Sequence, residues 1–403
     1  MTIGSEWAQK EQSMNSTASP MNQTRGLGRF YRPELDALRF FAFLCVFFEH
    51  AVRYWLPNDS TTQSAFGSFL YIIRDTGGFG LCLFFLLSAY LITELLLREQ
   101  ARTGTVHLRA FYARRILRIW PLYFAMVGFG YVLSLVRPSY PWGLGRLISY
   151  LLLVGNLYTA RYGQAANPAG PLWSISLEEQ FYLLWPSVAK RGPRVLRIVS
   201  IALVILSFFA IYVLLERGAS RDVGVWCNSL AQFLFFGVGA LIALQLRGRM
   251  PGLHPSLRAA AFLGGVALWL VADIFFHVVG LGNGPPLPTM LGYVVVAVGC
   301  GLLVAGVLGA PARWFPAALV YLGKISYGLY VFHLLALTVS YSIVWRFARE
   351  SSAASHPSRL LGFVQVPFAL TLTIAFAMIS YRFFETPFLK IKERFTFVQS
   401  RSI

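Results

Sequence analysis

Eleven apolar runs follow one another along this chain. They fall at about Leu38–Tyr54, Gly80–Leu97, Ile116–Val136, Leu147–Tyr158, Leu172–Val188, Val195–Leu215, Leu230–Leu246, Ala259–Val279, Met290–Leu308, Leu319–Trp345 and Phe363–Phe384. Most approach the roughly 20 residues a helix needs to cross a hydrocarbon core. The period-two alternation of a lipid-facing barrel is absent. Composition agrees: 56% of the 403 residues are hydrophobic and 13% charged, where a soluble domain carries about 25% charge. The expected fold is all-α, a polytopic helix bundle in a membrane.

The net charge of +18 would point to nucleic acid in a soluble protein. Here the basic residues cluster between the apolar runs: Arg25, Arg29 and Arg32 before the first, then 98–118, 190–197, 247–258 and 390–394. That is the pattern of membrane orientation, so no nucleic-acid partner is expected and these segments are read as cytoplasmic. Both termini then lie on the cytoplasmic side of a plasma membrane. Eleven full spans would separate them, so one run must fail to cross. Leu147–Tyr158 is short and Leu172–Val188 is polar, so about ten spans plus one partial or re-entrant element are expected. Residues 1–30 are polar and read as a disordered tail, 31–390 as the membrane domain, and 391–403 as a second short tail. The four cysteines lack metal or redox spacing, so neither a metal nor a bound cofactor is expected.

Ionisable side chains inside spanning runs are costly and mark candidate sites. The first run carries Arg39, Glu49 and His50. Arg39 and His50, eleven residues apart, fall within about 20° of one helix face and about 16 Å apart along the axis. Such a helix offers a permanent cation and, deeper, an imidazole able to move protons. Buried polar residues satisfied by neighbouring helices would look the same. Gly77–Thr93 opens with a glycine cluster and carries Ser88 and Tyr90; close helix packing through small residues is the favoured reading over a functional one. Arg115 and Arg118, one turn apart at the start of the third run, suit a phosphorylated ligand, or orientation alone. Pro171–Pro186 (PLWSISLEEQFYLLWP) sets Glu178 and Glu179 among aromatic residues, where surplus charge needs a partner. Lys324–His333 groups Ser326, Tyr327, Tyr330 and His333 at helical spacing.

Taken together, these motifs resemble acyltransferase family 3, the integral membrane O-acyltransferases. Arg39 and His50 match its arginine-x10-histidine helix, CLFFLLSAYLIT its second helix, and RRILRIWPLY its third. PLWSISLEEQFYLLWP, ISYGLYVFH and YRFFETPFLK match later motifs, in order, from about Tyr31 to Lys390. Ala89 replaces a usual Gly, and Glu385-Thr386-Pro387 departs from the common closing triplet. The resemblance implies transfer of an acyl group, acetyl above all, from cytoplasmic acyl-CoA to a hydroxyl of a carbohydrate, lipid or small-molecule acceptor. It implies donor binding by Arg39, Arg115, Arg118 and Tyr123. His50 would act as general base or as an acylated nucleophile. Glu178 or Glu179 would orient His50, with Trp173, Ser174, Ser176, Ser88, Tyr330 and His333 in support. A secondary transporter is the rival class, but the internal repeat such proteins show is not visible.

Overall fold

The structure is a computed structural model that describes residues 31–55, 65–279, 282–351 and 360–398. Both proposed tails fall wholly or partly outside these residues. The described residues form fourteen helices and no strand. They are α1 (Pro33–Trp55), α2 (Ala65–Thr103), α3 (Leu108–Val136), α4 (Leu144–Leu151), α5 (Gly155–Tyr162), α6 (Trp173–Ala189) and α7 (Pro193–Glu216). After these come α8 (Ser229–Leu246), α9 (Pro255–Phe276), α10 (Pro286–Val307), α11 (Ala317–Lys324), α12 (Ser326–Ser351), α13 (Leu360–Ile379) and α14 (Thr386–Glu393).

Among the described residues, eight segments are long and apolar enough to cross a membrane: Phe69–Thr103, α3, α7, α8, α9, α10, Ser326–Val344 and Gly362–Glu393. The protein is thus a multi-pass membrane protein built as a helical bundle. Its outer surface fits that solvent. Ile198, Ile205 and Phe209 on α7, with Leu263 and Phe275 on α9, stand 63 to 71% exposed, an arrangement that favours lipid over water.

Two further helices have the length to span but carry charge. α1, at 23 residues, is about 34 Å long and holds Arg39, Glu49 and Arg53. α6, at 17 residues, is about 25 Å long and holds Glu178 and Glu179. These two are not among the eight apolar segments. The run Leu147–Tyr158 makes no continuous helix. It divides into α4 and α5, eight residues each and about 12 Å long, with Leu153 between them at φ 59°. Of the two runs that could have failed to cross, this is the one too broken to form a spanning helix, and α6 is the one that stays continuous.

α1 lies at the centre, packed against α2, α11 and α12. Its crossing with α2 explains the glycine cluster. A Cβ on Gly80 would stand 2.5 Å from the Ala42 carbonyl oxygen, and one on Gly77 would stand 2.6 Å from that of Cys45. Only glycine permits this approach, so the packing reading of Gly77–Gly80 is the one the fold bears out. Close packing at this crossing also fixes α1 relative to the Ser88 end of α2.

Candidate active site

The site is organised along α1, whose two polar ends face different cavities. At one end the His50 ring is pinned through Nδ1. That nitrogen lies 2.9 Å from the Val46 carbonyl oxygen and 3.2 Å from Glu49 Oε2. Both partners accept, so Nδ1 carries the hydrogen, and a neutral ring then keeps its lone pair on Nε2. Glu49 is itself held by Arg53 Nη2 at 3.1 Å. The fully buried His333 ring stands edge-on to His50 with centroids 4.9 Å apart. His333 Nδ1 donates to the Tyr330 carbonyl at 2.5 Å. His50 and Glu49 line a cavity of about 60 Å³ together with Gln164, Trp173, Trp226 and Tyr330.

At the other end Arg39 donates from Nε to Ser326 Oγ at 3.2 Å. This neutral partner orients the guanidinium, and Glu178 lines the same cavity. The largest cavity of the site, about 120 Å³, gathers Arg39, Arg115, Arg118, Ser88, Glu178 and Tyr182. Arg115 lies over the Tyr182 ring at 5.1 Å. The Tyr182 hydroxyl donates to Glu178 Oε2 at 3.2 Å and is also bonded to Ser88 Oγ.

A third cavity, about 50 Å³, lies between the first two. It shares Arg39, Ile175, Glu178 and Tyr327 with the basic cavity, and Leu81 and Tyr330 with the His50 cavity. Ser174 lines it, and the Ser174 hydroxyl bonds the Tyr330 hydroxyl at 2.6 Å. The three cavities therefore adjoin in series along the face of α1 that carries both Arg39 and His50.

Several sequence expectations change here. Neither Glu178 nor Glu179 is placed to orient His50, because α6 presents both near the Arg39 end. The carboxylate on His50 is Glu49. It is His50's neighbour in the chain, but adjacent helical residues ordinarily diverge by about 100°, which hides the contact. Glu178 and Glu179 do diverge: Glu178 faces the cavities, while Glu179 is buried and accepts from Trp120 Nε1 at 2.8 Å. Tyr123 is turned away from the basic cavity. Its fully buried hydroxyl bonds the Tyr150 carbonyl and Ser176 Oγ, both at 2.9 Å, so Tyr123 and Ser176 tie α3, α4 and α6 together. Trp226 stands in no charged or motif-like context, so spacing gives no sign of its place beside His50. Ser326 shows in the sequence only as one of a polar group, with nothing to link it to Arg39.

A sequence profile described as an acyltransferase domain matches residues 32–382. The chain belongs to this acyltransferase family. That assignment decides against the transporter. A peptidoglycan O-acetyltransferase, OatA, of Listeria monocytogenes is 25% identical over 391 residues, covering 92% of this chain and 58% of that protein. A Staphylococcus aureus protein provisionally named an O-acetyltransferase is 26% identical over 407 residues, covering 92% of this chain and 60% of its own length. A Bacillus subtilis protein, YrhL, provisionally named a peptidoglycan O-acetyltransferase, is 28% identical over 388 residues, covering 89% of this chain and 55% of that protein. The chain thus spans less than two thirds of the length of these curated relatives. No solved structure matches it.

Proposed function

We propose that this protein moves an acetyl group from cytoplasmic acyl-CoA to a carbohydrate hydroxyl on the opposite face of the membrane. The observation that carries the reading is the series of adjoining cavities from the Arg115–Arg118 cluster to His50. Phosphates suit the basic end, because guanidiniums grip them through paired hydrogen bonds. The α1 segment between Arg39 and His50, about 16 Å, is of the order of an extended pantetheine arm. A donor bound by its phosphates at Arg39, Arg115 and Arg118 would then carry its thioester past Ser174 and Tyr330 toward His50.

At the His50 end, Nε2 takes the proton of the acceptor hydroxyl as its oxygen attacks the thioester carbonyl. The tetrahedral intermediate collapses, the C–S bond breaks, and the CoA thiolate leaves with the proton from His50 Nε2–H, which restores the neutral ring. Glu49 and Val46 hold the ring in the Nδ1–H tautomer and stabilise the imidazolium that forms. Trp173 and Trp226, beside His50, offer flat apolar faces of the kind sugar rings stack upon. The names of the relatives support acetyl as the group and a glycan as the acceptor.

The test is purified full-length protein in lipid nanodiscs given radiolabelled acetyl-CoA and a chito-oligosaccharide. Label passing to the glycan with wild type, and not with His50→Ala, is the expected result. Absence of acetyl-CoA binding to the wild type would overturn the reading.

A further inference from the structure

Beside the basic cavity lies a neighbour of about 90 Å³ that shares Ile92, Leu95, Arg115 and Arg118 with it. Its remaining walls include Glu99, Phe111, Arg114, Lys392 and Thr396. The segment after α14 forms one side and is held there by its backbone. Arg114 Nη1 donates to the Phe395 carbonyl at 2.7 Å, Arg102 Nη1 to that of Phe397 at 3.3 Å, and the His107 ring stacks on Phe397 at 4.2 Å.

The charges of this cavity do not balance. Glu99 is already engaged, accepting from Arg114 Nη2 at 2.9 Å and from the His107 backbone N–H at 2.9 Å. Among the described residues, the side chains of Arg115, Arg118 and Lys392 make no ion pair or hydrogen bond, and the Lys392 backbone carbonyl accepts from Thr396 Oγ1. Arg115 lies against the aromatic faces of Phe111 and Tyr182 and shares the neighbouring cavity with Glu178. Three cations gathered round one small space repel each other unless an anion joins them. With Glu99 engaged by Arg114, the lining of this cavity keeps an excess of positive charge and suits an anion.

Resting on the acyl-CoA reading above, we propose that this cavity takes the 3′-phosphate of the CoA ribose, with Lys392 as the cation that recognises it. CoA carries two anionic groups, a pyrophosphate bearing the thioester arm and a phosphate branching from the ribose just beyond it. The arm must enter the cavity that leads toward Tyr330, so the pyrophosphate belongs there. The branch phosphate then falls into the adjoining cavity across the Arg115–Arg118 wall that both share. Lys392 lines the second cavity and not the first, so it discriminates where the arginines do not.

Equilibrium binding of CoA and of 3′-dephospho-CoA, to the full chain in phosphatidylcholine nanodiscs, tests this. Wild type should bind CoA about 10- to 100-fold more tightly, the effect of one charge-assisted phosphate contact. Lys392→Met should lower CoA affinity to the dephospho level without changing the latter, and Lys392→Arg should restore much of the difference. Equal binding of the two nucleotides by wild type would overturn the proposal while leaving the donor reading intact. So would equal weakening of both by Lys392→Met. If discrimination is absent and Lys392→Met instead removes a response to added anionic lipid, the cavity belongs to a lipid headgroup and the proposal fails. Binding of neither nucleotide would fell the donor reading itself.

Discussion

At the Arg39 end of α1 guanidiniums predominate, oriented by neutral or aromatic partners: Ser326 for Arg39, Phe111 and Tyr182 for Arg115. At the His50 end the ring is pinned by a carbonyl and a carboxylate, and Arg53 pairs with the other oxygen of Glu49. A guanidinium with a neutral partner keeps its attraction for an incoming anion. An imidazole held through Nδ1 keeps a basic Nε2. The first arrangement is suited to gripping a ligand and the second to moving a proton. On the proposed function one helix separates donor binding from chemistry by about 16 Å, and substitutions at its two ends should have different kinetic signatures.

The largest effect is expected at His50. His50→Ala should lower turnover by about a thousandfold, within the range typical of a lost general base, while acetyl-CoA affinity stays near wild type. Rapid-quench turnover and equilibrium binding on one preparation would show the split. Arg39→Ala and Arg118→Ala should do the reverse, weakening acetyl-CoA binding by about 10- to 100-fold each with a smaller change in the rate at saturating donor. A loss of turnover alone would place them with the chemistry. Glu49→Gln should lower turnover by about tenfold, since the Val46 carbonyl still holds the tautomer when the carboxylate charge is gone.

Much of this contrast is legible in the sequence. A cation and an imidazole eleven residues apart on an apolar run fix their common face by helical geometry alone, and α1 has it. The paired carboxylates announce a site because surplus charge in a membrane needs a reason. Their neighbours are not legible. Which of α6's faces meets Arg39 and which meets Trp120 depends on the rotation of α6, set by packing and not by sequence spacing. Tyr123 sits in the same motif as Arg115 and Arg118, yet the turn of the helix carries it toward Tyr150 and Ser176. Lys392 reads in the sequence as one more orienting charge, because only the docking of residues 394–398 on Arg102 and Arg114 turns it toward a cavity.

Two smaller effects sharpen the comparison. Glu178→Gln should lower kcat/KM several-fold, since Glu178 faces the cavities, whereas Glu179→Gln should leave it unchanged because an amide oxygen still accepts from Trp120. Equal losses in both would deny the division of α6. Smallest of all, Tyr123→Phe should leave both donor binding and turnover intact and lower stability by about 1 kcal/mol, readable as a shift in thermal unfolding in detergent.

The central claim is that donor and acceptor meet from opposite ends of one series of adjoining cavities. Proteoliposomes with the protein in a single orientation test it most directly, with acetyl-CoA confined to one side and a chito-oligosaccharide to the other. The account predicts acetylated glycan only when acetyl-CoA is on the face of Arg115 and Arg118 and the glycan is on the face of His50. Acetylation with both substrates supplied together on the Arg115 face, and none across the membrane, would contradict it.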